Sequence, residues 1–342
     1  FINPKNRKTY TTMAVTMAEI TKLRNLTSAG LMDCKKALAE TNGDIEAAVE
    51  VLRKKGQAVA AKREDREASE GCVLAKTNGN FAAIFALNCE TDFVAKNQGF
   101  VDLTNAIIDL AVANKAKSVD EVKALMLDGF TVADKIVEEV GKTGEKMEIG
   151  AYETIEAPSV AAYVHFGNKL ATIVGFNQEG VDYQVGRDVA MQVASMNPVA
   201  VDRDSVPAEV IESEKAVAIE KTKKEQVQKA VEAALKKAGL NPNLLDSEDH
   251  INSNIAKGWL TEDEAAKGRE IIATVSEQKA ANLPEQMIAN ICVGRLNKFF
   301  KESTLMEQEF VKDGELTIGQ YLEKSQAGLK AVCFKRVNLN RD

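Results

Sequence analysis

One pattern occurs twice in this chain and restricts the fold more than any other feature. Residues 71–89 hold two β-type runs around Thr77-Asn78-Gly79-Asn80, followed by a helix in which Phe100, Leu103, Ile107 and Leu110 share a face. Residues 160–177, VAAYVHFGNKLATIVGFN, repeat the order of strand, Gly-Asn turn and strand. A helix again follows, with Val189, Val193 and Met196 aligned up to Asn197-Pro198. Asn-Gly between apolar runs is a strong hairpin signal. Hairpin then helix, met twice, reads as an internal duplication of an α+β subdomain. Ser118 and Glu121 form a capping box ahead of another helix, and residues 145–157 return to strand character. Residues 329–339, LKAVCFKRVNL, supply a further strand that completes the second copy.

The rest of the chain is arranged around these copies. Residues 18–56 read as a three-helix domain. Ile20, Leu23 and Leu26 mark its first helix, closed near Gly30, and the second carries Met32, Lys36, Ala37 and Ala39. Asp44 N-caps a third with Ile45, Ala48, Val49 and Leu52 on one face, ending at Gly56. Residues 57–70 have mixed charge and no apolar stripe, as a solvated helical linker would. The two core subdomains are expected at 71–157 and at 158–204 plus 303–342. Residues 205–302 form an antiparallel, coiled-coil-like helical hairpin, with Ile288, Cys292, Leu296 and Phe299 as a stripe on its return leg. A turn-rich insertion interrupts it, followed by a capping box at Thr261 and Glu264. There Trp259 is expected to anchor a small cluster and His250 to face water. Residues 1–17 read as a disordered extension outside the fold. The fold class is therefore α+β.

Composition removes several functions. With 342 residues and a net charge of −7, the chain lacks the cationic surplus that phosphate backbones require, so no nucleic-acid partner is expected. No apolar run approaches the roughly 20 residues of a membrane span. Its five cysteines, Cys34, Cys72, Cys89, Cys292 and Cys333, stand singly, as in a reducing compartment. The two histidines, His165 and His250, form no local ligand motif, so neither metal nor cofactor is expected. No nucleotide-binding or nucleophile-elbow motif is present. A Cys89–His165 nucleophile pair is conceivable, but nothing supplies an orienting group or an oxyanion hole. The stretch Thr91-Asp92-Phe93-Val94, where strand hands over to helix, admits two readings. Thr91 and Asp92 suit a helix start with Phe93 folded into the core, or Phe93 projects as a binding element.

AEITKLRNLTSAGLMDCKKALAETNGDIEAAVEVLRKKG, NCETDFVAKNQGF, YVHFGNKLATIV, VAMQVASMNP and GRLNKFFKESTLMEQEFVKD together resemble, in order, the elongation factor Ts family. These factors promote guanine-nucleotide exchange on the translational GTPase elongation factor Tu, in its GDP-bound form, and are not enzymes. The resemblance covers about 18–220 and 285–336, and the first domain also resembles ubiquitin-associated domains. It implies that Thr91–Val94 faces the GTPase beside its nucleotide site, with Asp92 and Phe93 as a wedge that dislocates Mg²⁺. It implies that His165 touches the same region, against the alternative of a turn-capping histidine. Leu31 and Met32 would dock the first domain, unless Met32 is core, and Arg24 would add an ion pair or simply be solvated. The implied setting is cytoplasmic, with no direct nucleotide binding by this chain. Residues of about 221–284 make the hairpin longer than is usual in the family. The competing reading is a helical adaptor that binds a protein through its first domain.

Overall fold

The computed structural model describes residues 15–27 and 29–340, so the expected extension lies, up to residue 14, outside them. Two compact units result: one runs to Asn197 and resumes at Phe310, the other is Pro198–Glu309.

The first unit opens with α1 (Met17–Thr27), α2 (Leu31–Glu40) and α3 (Ile45–Lys62). Ile20, Leu23, Cys34, Ala37, Leu38 and Ala48 are buried together, with Ile45, Val49 and Leu52 packed around them. Asp44 caps α3 by accepting a hydrogen bond from the Ala47 amide, so one orphan donor of the helix is satisfied. Leu26, expected on the inner face of α1, is exposed. The buried face of α2 is Cys34, Ala37 and Leu38, spaced by three and one, which turns Met32 outward; the reading that buries it is contradicted.

The first sheet follows as β1 (Glu70–Asn78) and β2 (Phe81–Cys89). Asn78 pairs with Phe81, so the turn is Gly79-Asn80, one residue later than the Asn-Gly reading. Gly79 has φ +61°, the left-handed conformation a turn with glycine in first central position requires. Then come α4 (Asp92–Ala95), α5 (Gln98–Ala113), α6 (Val119–Ala124), the short β3 (Met126–Leu127) and β4 (Phe130–Thr131), α7 (Val132–Thr143) and β5 (Met147–Glu156). Ser118 caps α6 as expected, but Glu121 reaches the Lys117 amide instead of Ser118. The inner face of α5 carries Phe100, Thr104, Ile107, Ile108 and Ala111, leaving Leu103 and Leu110 half-buried.

Gly56 lies inside α3. A Cβ there would meet the Val137 backbone oxygen at 2.8 Å, and one on Gly141 would meet Gly56 Cα at 3.1 Å. Glycine here marks a close crossing of α3 on α7, so residues 57–62 are the last turns of α3.

The second copy is β6 (Ser159–Val164), β7 (Leu170–Phe176) and α8 (Tyr183–Met196). Asp188, Val189, Ala190 and Val193 are the inner face of α8, and Met196 is exposed. The second unit contains α9 (Ala208–Lys237), α10 (Glu248–Ala256), α11 (Glu262–Ala281) and α12 (Glu285–Ser303). Helix α9 packs on both α11 and α12, so the return leg is two helices broken at Asn282-Leu283-Pro284. Proline lacks the backbone N–H donor that a continuous helix needs at that point. Ala218, Ile288 and Cys292 pack at one end. At the other, Leu235, Leu240, Leu245, Ile251, Leu260 and Ala265 form a separate core. Trp259 is 64 % exposed beside this core and is not its anchor. The Thr261–Glu264 capping box forms as expected. His250 is exposed and pairs with Asp246 at 2.6 Å. After β8 (Glu309–Phe310), β9 (Asp313–Thr317) and α13 (Ile318–Ser325), β10 (Ala331–Asn338) completes the second sheet.

The sheets run β1-β2-β5 and β10-β7-β6 and are wholly antiparallel. In each, a late strand joins the second strand of a hairpin, so the duplication is visible in topology. Strand β2 is apolar from Phe81 to Leu87 because both its faces are covered there. Phe81, Ala83, Phe85, Leu87 and Cys89 pack toward α5 and α7, while Ala82, Ile84 and Ala86 face the other sheet with Ile155, Ala157, Ala171 and Ile173. Alternation at period two sends Phe81 and Phe85 to the helix side and leaves Ile84 between two alanines on the sheet–sheet side. Gly175 on β7 belongs to this seam: a Cβ there would lie 2.7 Å from Cys333 Sγ and 2.9 Å from Ala157 Cβ. Gly175→Val is therefore expected to destabilise the fold by about 1–3 kcal/mol through overpacking, read as a lower urea midpoint at unchanged slope.

Candidate functional site

Helix α4 is a single turn at the mouth of the first sheet, and its side chains divide between core and water. Ala95 is buried and Val94 packs against the core of the first sheet. Phe93 points the other way and is 83 % exposed. A one-turn helix has too few hydrogen bonds to hold itself, so its surroundings must hold it. Glu145 does this, accepting from the Thr91 amide at 3.1 Å and from the Thr91 hydroxyl at 2.6 Å. The Thr91 hydroxyl in turn accepts from the Val94 amide at 3.4 Å. Next to Thr91, Glu90 receives Arg63 at 2.9 Å and the Lys146 amide at 2.6 Å. Burial opposes its ionisation, yet the Lys146 amide and Arg63 hold its carboxyl below the usual range. An exposed aromatic thus stands on a clamped base.

Asp92 precedes it and bonds Lys96 at 2.6 Å. That hydrogen bond holds Asp92 below the ordinary carboxylate range, and the charge of Lys169 adds to the effect. Lys169 follows the turn between β6 and β7 and pairs with Glu70, whose strand partner is Cys89. The Val73 amide also donates to the Asn168 carbonyl at 2.7 Å. These contacts bring the β6–β7 turn beside α4.

His165 sits in that turn, exposed, with Nδ1 2.9 Å from the Tyr163 hydroxyl. Its neighbour Phe166 is 97 % exposed, a feature the sequence reading passed over. The available signal was a bare aromatic between a histidine and a Gly-Asn turn, where small or polar residues are usual. Arg24, Leu31 and Met32 lie on α1 and α2 in the three-helix region, all exposed. A cavity of about 590 Å³ lies between that region and α7, but its Arg53 is spent on Glu50 and Asp134.

Cys89 cannot serve as a nucleophile. It is fully buried, donates to the Thr91 carbonyl at 3.2 Å, and burial with the Glu145 charge pushes its thiol up to about 12. Among the described residues no group of three or more His, Cys, Asp or Glu side chains could hold a metal ion. No described helix is long and apolar enough to cross a membrane. What this surface offers is a rigid apolar projection, an anion held beside it, and a histidine close by.

A model of the family described as Elongation factor TS matches residues 90–239 and 217–341. Elongation factor Ts of Bacteroides thetaiotaomicron is 59 % identical over 331 residues, 96 % of this chain and 100 % of that protein. The protein of that name from Phocaeicola vulgatus is also 59 % identical over the same shares. That of Porphyromonas gingivalis is 45 % identical, again over 96 % of this chain and 100 % of its own length.

Two expectations follow from the geometry. Glu145→Ala removes both bonds to Thr91, so amide exchange at residues 94–96 should accelerate about tenfold or more while the protein stays folded, as hydrogen-exchange mass spectrometry would show. At pH 8, labelling of Cys72 and Cys89 in the native chain should run at least about a hundredfold slower than in guanidinium, because burial raises both thiols.

Proposed function

The chain belongs to the elongation factor Ts family, and from that membership we propose that it speeds GDP release from elongation factor Tu by driving the Phe93 ring between two helices of the GTPase. The observation that carries this reading is the exposed ring on a clamped α4. A G protein holds GDP through backbone amides that cradle phosphate and a Mg²⁺ that bridges protein and phosphate oxygens. The helices parted by Phe93 carry residues of that metal site. Displacing them loosens Mg²⁺, and phosphate follows. Asp92 arrives at the same place ionised, and its charge opposes the phosphates there. Thr91 and Val94 fix the base of the wedge.

Burying a Phe side chain provides roughly 1.5–3 kcal/mol, and each tenfold in affinity requires about 1.4 kcal/mol. One ring therefore accounts for about ten- to a hundredfold. The coupling is reciprocal, since nucleotide weakens the factor by the factor with which the factor weakens nucleotide. Larger exchange needs further contacts, and His165, Leu31, Met32 and Arg24 supply them. The exposed apolar pair Leu31 and Met32 docks α2 on the GTPase. The free cysteines suit a reducing cytoplasm. The adaptor reading gives no task to a ring held out on α4, so it ranks second.

The test is release of fluorescent GDP from elongation factor Tu, followed by stopped flow. Phe93→Ala should slow the saturating rate by about tenfold or more with its thermal midpoint unchanged, because the ring contributes no core. A rate equal to that of the unmodified chain refutes the wedge.

A further inference from the structure

We propose that Phe166 is a second apolar anchor for the same GTPase, seated beside the Phe93 contact, and that it sets affinity where Phe93 drives release. This rests on the reading of α4 given above. At 97 % exposure Phe166 is the most exposed large apolar side chain among the described residues. Its turn is pinned at several points. The His165 amide donates to the Leu170 carbonyl at 2.8 Å, the Asn168 amide to the His165 carbonyl at 3.1 Å, and the Asn168 carbonyl accepts from Val73 at 2.7 Å. Gly167 and Asn168, at φ +89° and +56°, make the bend, so the turn needs no aromatic. A ring offered on a fixed backbone loses little freedom on binding.

The occupant follows from position. Lys169, three residues on, acts on Asp92 and pairs with Glu70 at the start of β1, whose strand partner Cys89 ends β2 just before α4. The partner that receives Phe93 is the occupant assigned to Phe166, because its turn is joined to the base of α4 through Glu70 and Cys89. The division of labour follows from charge. Phe93 arrives with Asp92 next to it, whereas Phe166 is flanked by His165, Gly167 and Asn168. It brings apolar area without an anion to disturb a metal site. A contact made equally with nucleotide-bound and nucleotide-free partner changes affinity and leaves the displacement step alone.

The experiment is fluorescent GDP release from elongation factor Tu across a titration of the full chain, its Phe166→Ala, Phe166→Leu and Phe93→Ala variants. Phe166→Ala should raise the half-saturating concentration about ten- to a hundredfold, with Phe166→Leu restoring most of it and the rate at saturation carrying little of the loss. A shift below about threefold, or a loss confined to the saturating rate, overturns the anchor. If Phe166→Ala is silent while Phe93→Ala is slow, the anchor falls and the wedge stands. A Phe93→Ala variant as fast as the parent overturns both.

Discussion

The contact on which the first unit depends is the seam between its two sheets. Ala82, Ala86, Ala157, Ala171 and Gly175 let the sheets approach closely, with Ile84, Ile155 and Ile173 filling between them. On the opposite face of β2, Phe81 and Phe85 meet the helices, so the first sheet is covered on both sides. The seam also fixes direction. With β1 against β6 and β7, the strand end that leads into α4 and the turn that carries His165 emerge as neighbours.

On that frame a costly arrangement becomes stable. An aromatic ring in water forgoes the burial energy that a core position would give it. The adjoining segment compensates through specific polar bonds: Glu145 on Thr91, Arg63 and the Lys146 amide on Glu90, and Lys96 on Asp92. Most of these come from residues distant in sequence. The single turn of α4 is thus ordered by its surroundings, and the ring it carries is presented without needing to be organised on encounter.

Much of the architecture was legible because it depends on periodicity. The order of strands and helices and the caps at Asp44 and Thr261 sit where the residues indicate, and the first hairpin turn falls within one residue of its Asn-Gly signal. The stretch Thr91–Val94 was also legible as a special place, since a helix cap next to an exposed-or-buried aromatic is locally ambiguous. Sequence could not resolve that ambiguity, because the Glu145 clamp lies far along the chain. Other positions were misread for similar reasons. Gly56 looks like a helix stop until α7 is seen crossing it. Trp259 looks like an anchor because tryptophan is large, yet branched aliphatics from four segments already fill that core. Phe166 carries no periodic signal, since it is a lone aromatic inside a turn.

The glycine crossing of α3 and α7 has a consequence for how this fold can drift. Neither helix can accept even a methyl group at Gly56 or Gly141 without moving the other. A change at one site is tolerated only when the opposing backbone shifts with it. Divergent descendants should therefore keep both small residues or replace them together, so that the crossing behaves as one inherited character.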